Sequence, residues 1–204
     1  YTALDHENKI LMIGVKGTSS FADAITDCVA VSMPHVCAPN CPFTGHDNDR
    51  EIKCHEGILT GALKLHENVY DIVKNVGLRA NYKIHIVGHS LGAGTAALLG
   101  ILLRSRGNEK LQDPEYLKVW AFAAPPVIDK QSSLESKSFI TTIVNNNDVV
   151  PRLSLSNLEI FTGFLCDLAK KMQVDNDGKA VSGFFASYTV DAKVKEFEES
   201  GASI

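Results

Sequence analysis

The sequence predicts an α/β fold, a mostly parallel sheet with helices on both faces, and three observations carry that prediction. Apolar runs of strand length alternate with stretches of helical spacing over most of the chain. One such strand, Lys83-Ile84-His85-Ile86-Val87, leads directly into the glycine-flanked serine of Gly88-His89-Ser90-Leu91-Gly92, and a helix rich in small residues follows. No internal repeat and no linker breaks the pattern, so residues 1–204 read as one domain.

Taken in order, Lys9 to Val15 is an apolar strand that ends in the turn-like Lys16-Gly17-Thr18-Ser19-Ser20. Phe21 to Val29 reads as a helix or as a loop-strand element. Residues 32–53 turn irregular, with Pro34, Pro39, Pro42 and Gly45, and a loop of that length inside a domain is functional or mobile. From Glu56 to Val76 the apolar residues Ala62, Leu65, Val69, Ile72, Val73 and Val76 follow helical spacing. Leu91 to Leu103 is the second helix, and Gly92, Ala93, Gly94, Ala96 and Ala97 let it pack closely on a sheet. Strands follow at Leu117 to Phe122 and Phe139 to Val144. After Pro151, residues Leu158, Phe161, Leu165 and Leu168 form one more amphipathic helix, with Ser156 as its cap.

Composition excludes several function classes. A length of 204 residues with 45% hydrophobic content suits a globular chain with a sizeable core. The net charge of -4 supplies no electrostatic reason to bind nucleic acid. No apolar run reaches membrane-spanning length, and no basic-then-apolar signal opens the chain. Because it starts at Tyr1, the sequence is expected to be a piece or a processed form. Cys37, Cys41 and Cys54 lie near His35, His46 and His55, but no second matched pair completes a zinc pattern. One disulfide or plain thiols are expected there, and no metal site.

A sheet of this kind gathers function at the carboxyl ends of its strands. Ser90 sits at such an end, in a strained strand-to-helix turn that presents a hydroxyl as a nucleophile. Thr18 follows the first strong strand, where its N–H and hydroxyl suit a developing oxyanion; the alternative is an ordinary turn residue. The N–H of Leu91, opening the elbow helix, is the second candidate oxyanion donor. Asp148 lies beyond the last strand, in the chain order expected of a triad acid; the alternative is a solvated turn aspartate.

Lys16-Gly17-Thr18, the Asp23 to Asp27 stretch, His55-Glu56-Gly57, Gly88 to Gly94 and Asn147-Asp148-Val149-Val150-Pro151-Arg152, in that order, resemble the class 3 lipases. The resemblance covers about Lys9 to Leu168. Gly92-Ala93-Gly94-Thr95-Ala96-Ala97 and the run from Val150 through Phe161 bring it nearest to the sn-1-specific diacylglycerol lipases. It implies an α/β-hydrolase fold and a partial catalytic domain that cleaves an acyl ester of a glycerolipid, such as diacylglycerol, at a membrane or lipid interface. Ser90 would attack, Asp148 would orient a histidine, and Thr18 with Leu91 would hold the oxyanion. Residues 32–53 would take the place of the family's lid. No cofactor is required by this chemistry, and calcium dependence is left open. A phospholipid or another ester as substrate, and a non-catalytic lipid-binding or regulatory module, are the alternatives.

Two departures from the family pattern stand out. Lys16 replaces the usual arginine, keeping the cation without its bidentate geometry. All histidines, at 6, 35, 46, 55, 66, 85 and 89, precede Ser90, whereas the family's base follows the acid. His89 and His85 read as packing or core residues and His55 as structural, while His46 in the long loop is the remote candidate. The expectation is therefore a chain incomplete at its C-terminus, with residues 173–204 the start of an insertion and the base beyond it.

Overall fold

The computed structural model describes residues 1–17, 35–36, 53–106 and 108–153, together with positions 157, 160, 161, 163, 164, 167 and 168. Two compact units divide the chain, Tyr1–Ser154 and Leu155–Ile204. In the second unit the described positions are helical, as the spacing of Phe161 and Leu168 predicts. Ser156 and residues 173–204 lie outside the described residues, as does the element expected over Phe21 to Val29.

In the first unit the chain runs β1 (Thr2–Asp5), β2 (Ile10–Val15), β3 (His35–Val36), β4 (Lys53–Cys54), α1 (Glu56–Ile72), β5 (Lys83–His89), α2 (Leu91–Arg106), β6 (Leu117–Phe122), α3 (Lys130–Ser136) and β7 (Ile140–Ile143). The main sheet has the order β1-β2-β5-β6-β7. β1 is antiparallel to β2, and every later pair is parallel. The first hairpin closes through Asp5, whose carboxylate accepts the Asn8 N–H at 2.9 Å, while Lys9 takes the left-handed conformation at φ 51°.

Period-two alternation decides which side of the sheet is buried. Leu11 and Ile13 on β2, Ile84 and Ile86 on β5, and Leu117 and Val119 on β6 stand in register on one face and are fully or almost fully buried. Ala96, Leu99 and Leu103 of α2 cover them. The other flank of α2 presents Leu98 and Leu102 to Ile58 and Ala62 of α1, so this helix is buried on two sides. Its small residues make that possible, since a Cβ on Gly100 would stand 2.5 Å from Val119 Cγ2. On the opposite face Met12, His85, Val87 and Trp120 are half-buried.

After α1 the helix widens into a π-type turn over Val73–Arg79, where Gly77 packs on Ile84. The long irregular segment is described at 35–36 and 53, where β3 and β4 pair antiparallel. Cys54 at the end of β4 bridges to Ile128, and the His55 N–H donates to the Val127 carbonyl at 2.9 Å. The base of that segment is thereby fastened to the loop after β6. Among the described residues no helix is long and apolar enough to cross a membrane.

Candidate active site

Parallel pairing brings the carboxyl ends of four strands to one edge. Val15 lies beside Gly88, His89 beside Phe122, and Phe122 beside Ile143. Ser90 leaves that edge in the left-handed region at φ 57° and is buried, with 8% of its surface exposed. A serine in that conformation persists only when its surroundings hold it. Its N–H donates to the Phe122 carbonyl at 2.9 Å, and its carbonyl accepts from Ala93 at 2.8 Å and Gly94 at 3.2 Å. The elbow is thus tied to the end of β6 on one side and to the first turn of α2 on the other.

Three glycines let backbone approach backbone around the elbow. A Cβ on Gly88 would overlap the Gly92 carbonyl, and one on Gly17 would overlap the carbonyl of His89. A Cβ on Gly92 would lie 2.6 Å from both the Gly17 nitrogen and the Val15 oxygen. The loop after β2 therefore rests directly on the N-terminus of α2. Leu91 is the first residue of that helix, so its N–H has no partner within the helical ladder and suits an anionic oxygen. Thr18, the other candidate donor, lies outside the described residues, but its neighbour Gly17 is in contact with the elbow.

Asp148 sits after β7 in a tight turn, half-buried. Its N–H donates to the Asn145 carbonyl at 3.0 Å, and its Oδ1 accepts the Val150 N–H at 3.0 Å. That bond begins the single helical turn Val150–Arg152, which Val150 pins into the protein interior. The ends of β5, β6 and β7 are stitched together by backbone bonds, since the Ser90 N–H donates to Phe122 and the Ala123 N–H, next after it, to Ile143 at 2.9 Å.

The described histidines have other settings. His6 bonds the Tyr82 hydroxyl at 2.9 Å, and His66 is buried in α1 with its ring 5.4 Å from that of Tyr70. His55 caps α1, its Nδ1 accepting the Ile58 N–H at 3.3 Å. His85 is half-buried in β5, and its pKa is lowered by burial first and then by Lys118 and Lys83. His89, the last residue of β5, is exposed, against the expectation of a packing residue. His46, Cys28, Cys37, Cys41 and Cys166 lie outside the described residues.

Sequence reasoning did not single out the Phe122 carbonyl that receives the Ser90 amide, nor the Arg152 side chain described below. Backbone carbonyls leave no trace in residue identity. Arg152 ends the motif that begins at Asn147, but its partners are main-chain atoms that only the folded turn brings together.

A mostly parallel sheet whose serine elbow lies at the carboxyl edge, with its helix packed on the adjoining face, is the α/β-hydrolase fold. The family model described as Lipase (class 3) matches residues 12–158. The chain is 33% identical over 182 residues to human diacylglycerol lipase-alpha, covering 84% of this chain and 16% of that protein. It is 31% identical over 160 residues to mouse diacylglycerol lipase-beta, covering 76% of this chain and 22% of that one. The solved structure of lipase II from Rhizopus niveus superimposes with a TM-score of 0.60 at 26% identity, over 75% of this chain and 54% of that chain. This chain belongs to the class 3 lipase family. It spans 16% and 22% of the lengths of the two curated relatives.

Proposed function

We propose that the protein hydrolyses an acyl ester of a glycerolipid, taking diacylglycerol to monoacylglycerol and a free fatty acid. The observation that carries this reading is Ser90 held left-handed at the head of α2, with the loop before Thr18 packed against it. The curated relatives' names point to the same substrate class.

In this reading the Ser90 hydroxyl attacks the ester carbonyl carbon while a histidine takes its proton. The carbonyl oxygen becomes an oxyanion held by the N–H of Leu91 and by Thr18. Collapse of the intermediate breaks the bond to the glyceride oxygen, which receives the histidine's proton. Water, activated by the same histidine, then releases the fatty acid from Ser90. Asp148 orients the imidazole and balances its charge. Since all 7 histidines precede Ser90, the base is assigned to a histidine outside these 204 residues. The chemistry calls for no cofactor.

The carboxyl edge is also the side assigned to lipid. Phe122, Ile143, Val144 and Val149 are exposed at 39%, 37%, 42% and 45%. Large apolar side chains gathered at a site's rim suit an apolar substrate or a membrane surface.

The test is release of free fatty acid from diacylglycerol by the full-length protein. Ser90→Ala should lower the rate by about four powers of ten or more, and an unchanged rate would sink the mechanism. Vesicle binding without turnover by the unaltered protein would favour a lipid-binding module instead. Preferential cleavage of a phospholipid would move the substrate assignment.

A further inference from the structure

The turn that carries Asp148 is held by the side chain of Arg152, which takes no part in the proposed proton and acyl transfers. Arg152 reaches back over it with two nitrogens: Nη1 donates to the backbone carbonyl of Asp148 itself, and Nη2 to that of Asn146 at 3.4 Å. Asn146, which carries one of those two acceptors, is itself left-handed at φ 48°. From within, the turn is closed by the Asp148 N–H on Asn145; from without, it is bridged by the guanidinium. The arginine is placed to do this because Val150–Arg152 coils into one helical turn, its own N–H bonding the Val149 carbonyl at 2.9 Å.

We infer that Arg152 is a positioning residue for the reaction, setting the direction of the Asp148 carboxylate by clamping the backbone on which it stands. The inference rests on the assignment of Asp148 as the triad acid. The Val150 N–H on Asp148 Oδ1 ties the carboxylate to the turn, so the direction it offers an imidazole follows the turn's backbone. A planar guanidinium spans two carbonyls that flank one residue, whereas an ammonium is a single point and grips only one at a time. Arg152 is exposed and acts through the main chain, without touching substrate. A turn free to rotate moves the carboxylate, and displacement of a catalytic group by about 1 Å costs up to about 100-fold in rate.

The experiment is a double-mutant cycle on the full-length protein, with a soluble short-chain p-nitrophenyl ester as substrate and circular dichroism to confirm folding. Arg152→Ala should lower kcat by about 10- to 100-fold with KM within about twofold, and Arg152→Lys should fall between it and the parent. In the Asp148→Ala background the same Arg152→Ala change should alter kcat by less than about twofold, since a residue acting through Asp148 has nothing left to position. A merely structural arginine would give the same loss in both backgrounds, and that result overturns the inference. So does a kcat within about twofold of the parent for Arg152→Ala while Asp148→Ala is inactive. If Arg152→Ala does not fold, Arg152→Gln, which keeps the bulk without the guanidinium fork, takes its place in the cycle under the same criteria. Parent-level kcat in Asp148→Ala alone would instead overturn the assignment of the acid, and this inference with it.

Discussion

Ser90 and Ala123 both hold a left-handed backbone, at φ 57° and 52°, and the two are joined by the bond from Ser90 N–H to the carbonyl of Phe122. Each conformation costs a non-glycine residue roughly 1 kcal/mol or more. The turn at Ala123 redirects the chain just after Phe122 offers its carbonyl, so strain at one residue supports strain at the other. Replacing Ala123 by valine should lower stability by about 2 kcal/mol, because a β-branched side chain tolerates this region worst, while Ala123→Gly should stay within about 1 kcal/mol of the parent. Urea unfolding of the two variants checks the ordering. Gly92→Ala is more severe in a different way. Its methyl would stand 2.6 Å from the Gly17 nitrogen and the Val15 oxygen, both backbone atoms that cannot rotate aside. A loss of about 1–3 kcal/mol is expected, and with it a fall in kcat, since the loop leading to Thr18 must lift.

Among the described elements, α2 contributes to both core clusters. It is buried against the sheet on one side and α1 on the other, so Leu99→Ala should cost about 3 kcal/mol by chemical denaturation. Leu134→Ala on α3, where 56% of the side chain's residue is exposed, should change stability by less than about 0.5 kcal/mol. β5 carries a pH dependence. His85 stands between Met12 on β2 and Lys118 on β6, and burial, then Lys118 and Lys83, lower its pKa from 6.5, with Glu115 opposing. The unfolded chain therefore takes the proton first as pH falls. Stability is complete above about pH 6.5 and declines below it, until the folded form is protonated as well. His85→Gln should shrink the difference between urea midpoints measured at about pH 7.5 and about pH 5.5. An unchanged difference would remove His85 from the explanation.

The elements best read from sequence were those with a strong internal period. β6 is Leu117–Phe122 as expected, and β2, β5 and α2 depart from expectation only at their ends. β1 left no such signal, because most of its four residues are exposed and only the Asp5 to Asn8 turn marks the hairpin. The helix expected to continue to Val76 instead widens at Val73, where Gly77 must admit Ile84. Two-residue pairings such as β3 with β4 arise from tertiary approach and have no period to read. The same distinction holds at the site. Ser90 and Asp148 could be assigned from the sequence because the proposed chemistry calls for those side chains in that chain order. The carbonyls of Phe122, Asn146 and Asp148 could not, because any residue supplies one.

At the scale of the whole molecule, the assigned chemistry and the assigned lipid contact share one edge of the sheet. Parallel strands put Ser90 and the turn bearing Asp148 at their carboxyl ends, and the same ends expose Phe122, Ile143, Val144 and Val149. The described opposite ends of these strands carry polar positions such as Lys83 and Lys118. A protein that meets an aggregated substrate with one edge gains by keeping that edge apolar, because a charge there must be dehydrated on approach. Val144→Asp is the informative change: it lies beyond β7, makes none of the hydrogen bonds described for the elbow, and is 42% exposed. In flotation assays with vesicles of phosphatidylcholine and diacylglycerol, the bound fraction of full-length Ser90→Ala protein should fall several-fold, by roughly 1 kcal/mol, when Val144→Asp is added. The serine variant removes turnover, so the vesicles keep their composition during the measurement. Val144→Leu, which keeps the apolar surface, should bind as the parent does. Equal binding by the aspartate and leucine variants would detach this edge from the lipid surface and place the contact elsewhere on the protein.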